Sequence, residues 1–178
     1  AGLEGHNFGN LFLTALTDIL GSEVKAIEAA SHILQVSGRV IPVTVDNVQL
    51  AAKYADGTVV VGENEIEEAL LHKDNSRIMS LWLTPEAKIT EEAKRAILEA
   101  DLIVLGPGDL YTSILANCVV LGFKEAISES TACVVYVCNL MSKRGQTVGM
   151  HAHEHVLEIQ KDGRFFFWPI NYSLSPIF

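Results

Sequence analysis

Cysteine is scarce in this sequence: Cys118, Cys133 and Cys138 are the only three in 178 residues. An odd number with no Cys-x-x-Cys pair argues against both a thiolate zinc site and a closed disulfide framework. Cys133 and Cys138 fall on one predicted strand with side chains on opposite faces, which excludes a bridge between them. Reduced cysteines beside apolar runs behave as small hydrophobes, and a reducing cytoplasm is the expected location. Basic residues are also few, 13 Lys and Arg against 22 Asp and Glu, for a net charge of −9. A nucleic-acid binder carries a basic face, so nucleic acid is not an expected partner. A small anionic ligand stays compatible if local backbone groups hold it. No apolar run approaches the ~20 residues that span a bilayer, so membrane insertion is not expected. No charged-then-apolar leader opens the chain, which begins Ala-Gly-Leu-Glu without Met, and the natural amino terminus is expected to lie upstream. Internal repeats, low-complexity tracts and a Gly-x-Ser-x-Gly nucleophile elbow are all missing.

What is present is enough apolar material, 49% of residues, for one sizeable core. Residues 1–160 read as one α/β domain and 161–178 as a tail of uncertain status, with four consecutive aromatics from Phe165 to Trp168. Apolar positions at Phe8, Leu11, Phe12, Ala15, Leu16, Ile19 and Leu20 predict a helix with one buried face, stopped by Gly21. Ser22 is placed to cap a second helix, with Gly38 closing that segment. Residues 39–63 are rich in β-branched residues around an Asp56-Gly57 turn and predict a small antiparallel insertion. A short helix (66–71) and a strand (77–85) follow. Thr90 then caps a helix, 101–106 forms an all-apolar strand, a helical stretch broken near Gly122 runs to Ser128, and 132–139 forms a second strand. Strand, helix, strand is a parallel crossover, and ligands gather at the carboxyl ends of such strands.

Three stretches carry chemistry. In ADLIVLGPGDLYTSIL (100–115), Gly106-Pro107-Gly108 leaves a buried strand, and Thr112 and Ser113 follow at a helix start. Glycine permits close backbone approach and unpaired helix-start N–H groups bind anions, so the stretch is either a phosphate cradle or a capped βα turn. In GHNFGN (5–10), Asn7 or Asn10 caps a helix, and His6 is either a surface residue or a donor to a phosphate. In MHAHEH (150–155), His151 and His155 have helical spacing for a metal, but the pattern lacks the Glu directly after the first His. A polar helix start near a ligand is the preferred reading, and no metal site is assigned.

Taken in order, GHNFGNLFLTALT, GRVIPVT, ADLIVLGPGDLYTSIL and VYVCNLM resemble the bacterial gluconeogenesis-factor family, relatives of phospholactate transferase, over residues 5–158. The resemblance implies a Rossmann-like, three-layer α/β/α fold with a mostly parallel central sheet and a small antiparallel β insertion. It implies one nucleotide cleft bordered by His6, Asn7 and Asn10, by Gly106, Pro107, Gly108, Thr112 and Ser113, and by Asn139. The implied ligand is UDP-N-acetylglucosamine or another nucleotide, with no further cofactor. The implied role is a non-catalytic regulator of cell shape during growth on gluconeogenic carbon sources, and a homo-oligomer is expected because a sheet short of one strand exposes an edge that invites self-association. The alternative is a transferase acting on a nucleotide diphosphate-linked substrate. The sequence departs from the family in three places. The family's Gly-Gly-Gly-Thr-Gly opening and its Asp-Asp-Gly-Gly segment are not in it. Arg144-Gly145-Gln146-Thr147 stands where the family reads Pro-Gly-Glu-Thr. Residues 161–178 do not resemble the family's usual strand.

Overall fold

Helix periodicity at the start of the chain produces two helices packed on each other. The computed structural model describes residues 8–72, 77–143 and 146–161. Helix α1 (Phe8–Leu20) ends where Gly21 adopts a φ of +66° and donates its N–H to the Thr17 carbonyl. Helix α2 (Glu23–Ile33) starts at Ser22, whose hydroxyl accepts the Lys25 N–H, and buries Ala26 and Ala30. It stops before Gly38, because Gln35 already takes a left-handed φ of 51°. The apolar face predicted for α1 is not buried: Phe8 is 81% exposed and Ile19 is 77% exposed.

The antiparallel unit differs in extent from the expected 39–63. Strands β1 (Gln49–Tyr54) and β2 (Val59–Val61) form the Asp56-Gly57 hairpin, with Gly57 at positive φ and the Asp56 carboxylate accepting the Thr58 N–H. Strand β3 (Ile78–Thr84) completes the order β2-β1-β3, in a register that sets Leu50 opposite Leu83. No strand forms over 39–45. Pro42 has no N–H to give a ladder, and the carbonyls of Pro42 and Val43 accept the Thr90 hydroxyl and N–H, each at 2.8 Å. That segment serves the start of α4 (Glu91–Leu98), which Thr90 caps through the Ala93 N–H. Helix α3 (Glu63–His72) links β2 to β3.

Strands β4 (Leu102–Leu105) and β5 (Cys133–Tyr136) pair in parallel, joined by a π-helical segment (Leu110–Leu115), α5 (Ala116–Cys118) and α6 (Phe123–Glu129). Gly122, at a φ of +92°, makes the break before α6, and α7 (Ala152–Gln160) closes the described chain. The mixed α/β class holds. The parallel part, however, is two strands among the described residues rather than a mostly parallel central sheet. Nor is β4 covered on both sides: Leu105 is in the core, while Leu102 and Val104 are more than half exposed. Period-2 alternation puts these two on one, more exposed face. One contiguous core joins both sheets through Leu50, Tyr54 and Ile66 on one side and Leu105, Leu110, Ile114 and Phe123 on the other. The turn after β4 is therefore anchored at both ends by buried side chains.

Candidate functional site

The turn that leaves β4 is shaped by one backbone conflict. Gly106 has a φ of +90°, and a Cβ there would sit 2.9 Å from the Val137 carbonyl oxygen, so glycine is required. Past Pro107 and Gly108, the Asp109 carbonyl accepts the N–H groups of both Ser113 and Ile114 at 3.0 Å. The second of these spans five residues and widens the first turn into a π-helix, a geometry that recurs at functional sites. Leu110, Tyr111, Ile114 and Leu115 are buried beneath it.

The segment after β5 is fastened to this turn nearly residue by residue. The Val137 N–H donates to the Leu105 carbonyl at 2.9 Å, and the Asn139 side-chain amide donates to the Gly108 carbonyl at 3.1 Å. The Lys143 ammonium contacts the Asp109 carboxylate and donates to Glu67 on α3 at 2.8 Å. Burial pulls Lys143 toward neutrality, but the hydrogen bonds and charges of Asp109 and Glu67 more than offset that and hold it above the ordinary lysine value. The buried Gln146 amide accepts the Tyr111 N–H at 3.4 Å and donates toward the Thr112 hydroxyl at 3.5 Å, while the Thr147 hydroxyl accepts the Lys143 N–H at 2.8 Å. Between the two segments lies an open, shallow depression of about 460 Å³ lined by Pro107, Val137, Cys138, Asn139, Leu140 and Met141. Its polar donor is the Asn139 amide, and Leu140 and Met141 are exposed apolar walls. Apolar walls with a few convergent polar groups are the usual make-up of a small-molecule site.

Of the residues singled out from the sequence, Gly106, Pro107, Gly108 and Asn139 come together here. Thr112 is buried against Gln146, and Ser113 is exposed with its N–H already given to Asp109. The Tyr111 and Ser113 donors are thus satisfied within the chain. The N–H groups of Gly108, Asp109 and Leu110, one turn earlier, have no backbone partner among the described residues. His6 and Asn7 lie outside the described residues. Asn10 is exposed on α1, whose extensive packing is against α2. The histidine cluster divides: His151 and His153 stack at the surface with ring centroids 5.7 Å apart, while buried His155 meets the Tyr136 hydroxyl through Nδ1 at 3.0 Å. Glu154 is occupied by the His151 N–H and Arg77. Among the described residues no three His, Cys, Asp or Glu side chains converge on a metal position.

Three participants escaped the sequence reading. Gln146 sits in the Arg144–Thr147 stretch that departs from the family pattern, which was its available signal, and Lys143 stands just before that stretch. Glu67 had none, because its contact with Lys143 spans 76 residues. A second cleft of about 250 Å³ opens between β3 and α7, where the phenol of Tyr111 faces Glu158. Burial first, then the charge of Glu158, pushes that phenol well above its ordinary value.

Residues 1–168 match the family model described as 2-phospho-L-lactate transferase CofD. The "Putative gluconeogenesis factor" of Aquifex aeolicus is 50% identical over 87% of this chain and 47% of its own length. The "Gluconeogenesis factor" of Halalkalibacterium halodurans is 42% identical over 89% of this chain and 48% of its own length. A crystal structure of a Bacillus halodurans protein superposes with a TM-score of 0.80 at 42% identity, covering 90% of this chain and 50% of that one. The chain thus spans about half the length of the relatives it matches. No helix among the described residues is long and apolar enough to cross a membrane.

Proposed function

The chain belongs to the CofD family, and from that premise we propose that it serves a nucleotide-sugar-binding regulator of the gluconeogenesis-factor kind, with UDP-N-acetylglucosamine as ligand. The observation that carries this reading is the fastening of the Gly106–Asp109 turn to Asn139 at the carboxyl ends of two parallel strands. Open α/β sheets take their ligands at that edge. In the proposal, a phosphate lies against the N–H groups of Gly108 to Leu110, and the base or sugar lies over the Leu140–Met141 wall. The complete protein is a cytoplasmic homo-oligomer of Rossmann-like, three-layer architecture. Its partner is a small nucleotide rather than a nucleic acid, and its role lies in cell shape during growth on gluconeogenic carbon.

A transferase reading is favoured by one observation, the description of the matching family model. Against it, the Asp109 carboxylate of the turn and the Glu67 carboxylate of α3 are both engaged by Lys143 rather than free to hold a divalent ion. Calorimetric titration of the natural full-length protein with UDP-N-acetylglucosamine and with GDP separates the two. The regulator reading expects saturable UDP-N-acetylglucosamine binding without turnover. Binding of GDP alone, or release of a nucleotide product, supports the transferase.

A further inference from the structure

Lys143 stands between two carboxylates at the edge of the turn. Its ammonium donates to Glu67 at 2.8 Å and contacts Asp109, and all three side chains are between about a quarter and two-fifths exposed, so solvent and solutes reach them. One ammonium and two carboxylates leave a net charge of −1 beside a turn in which the N–H groups of Gly108, Asp109 and Leu110 have no backbone partner among the described residues. That charge opposes an incoming anion unless Lys143 turns toward it. The backbone of Lys143 is held in place, since its N–H donates to the hydroxyl of buried Thr147, so only the flexible four-carbon stem has to move. Glu67 reaches the triad from α3, a different element, whereas Asp109 belongs to the turn itself.

We propose that Lys143 is the cation that reads a phosphate at the Gly106–Asp109 turn, and that Glu67 holds it in reserve and so lowers the affinity of the empty site. A bound phosphate takes over the ammonium from Glu67, while Asp109 keeps the stem aligned. The inference rests on the reading of the turn as a phosphate site, and it adds a specificity rule: ligands with a dianionic group are selected over neutral sugars or nucleosides. Removing the competing carboxylate tightens binding only while the lysine is there to be released.

The test is a double-mutant cycle on the natural full-length protein, titrated with UDP-N-acetylglucosamine and separately with inorganic pyrophosphate. Thermal unfolding checks that each variant is folded, and Lys143→Arg serves as the charge-conserving variant. Lys143→Met is expected to weaken binding by about tenfold, the effect of one lost charge-assisted contact. Lys143→Arg is expected to retain most of the affinity. Glu67→Gln should tighten binding several-fold, and that gain should vanish in the Lys143→Met background. Unchanged affinity in Lys143→Met, or a Glu67→Gln gain that survives without the lysine, overturns the proposal and leaves the nucleotide reading standing. Pyrophosphate binding that depends on Lys143, without UDP-N-acetylglucosamine binding, sustains the lysine's role and overturns the nucleotide-sugar reading. Failure of both probes to bind overturns both.

Discussion

At residue scale the account turns on groups whose surroundings allow little choice. Gly106 combines positive φ with a carbonyl oxygen 2.9 Å from where a Cβ would stand. Gly106→Ala should therefore cost about 1–3 kcal/mol of stability, measured by denaturant unfolding, through backbone strain at the turn. Gly108 is different: its φ is not left-handed, and an added Cβ would meet side-chain atoms alone, Ser113 Cβ at 3.3 Å and Ile114 Cγ1 at 3.6 Å, so Gly108→Ala should cost less stability than Gly106→Ala. His155 makes a pH prediction. Burial lowers its pKa below the usual imidazole value, with the charge of Glu154 a smaller opposing effect, so the fold favours the neutral ring. A depressed histidine contributes stability that is full above its unfolded pKa of about 6.5 and is lost as pH falls through the lower folded value. Melting temperature should therefore drop on acidification below about pH 6.5. His155→Gln keeps a polar partner for Tyr136 and should flatten that drop; an unchanged slope would assign the acid sensitivity elsewhere.

At the scale of elements, Thr90 shows how one side chain settles a stretch of structure. Its hydroxyl accepts the Ala93 N–H and donates to the Pro42 carbonyl, tying 39–45 to the start of α4. Thr90→Ala should cost about 1–2 kcal/mol, toward the upper end of N-cap losses because two bonds go at once; Thr90→Ser should restore most of it. The cap itself was legible from Thr90 followed by Glu91 and Glu92, as were the Asp56-Gly57 hairpin and the Gly21 stop. The missing 39–45 strand was not legible. β-branched residues crowd that stretch as in a strand, but the decisive partner lies 48 residues away on Thr90. The site divides in the same way. Gly106-Pro107-Gly108 and Asn139 stood out because local glycine chemistry and family resemblance mark them. The π-helical turn that buries Tyr111 and Thr112 and ties up the Ser113 N–H depends on Gln146 and on buried packing, and neither has a local signature.

For the whole molecule, the unpaired side of β4 is the feature with the largest consequence. Its Leu102 and Val104 side chains are 55% and 51% exposed, and no described strand pairs with its other edge. An unpaired strand edge recruits further strands, and exposed apolar side chains on the adjoining face add to the association. The 178-residue chain on its own should associate with rising concentration in sedimentation equilibrium, and Val104→Lys should suppress that association. A monomer at every concentration would contradict the exposed-edge account.

The proposal at the centre is that the Gly106–Asp109 turn, fastened by Asn139, holds a phosphate of a nucleotide sugar. It is tested most directly by the dissociation constant of UDP-N-acetylglucosamine for the natural full-length protein beside its Gly108→Val variant, by calorimetry, with unfolding curves for both. The account predicts that the valine branches block the approach of a phosphate to the turn and weaken binding by about tenfold or more, roughly 1.4 kcal/mol, while the unfolding transition remains cooperative. Equal dissociation constants for two folded proteins would contradict it.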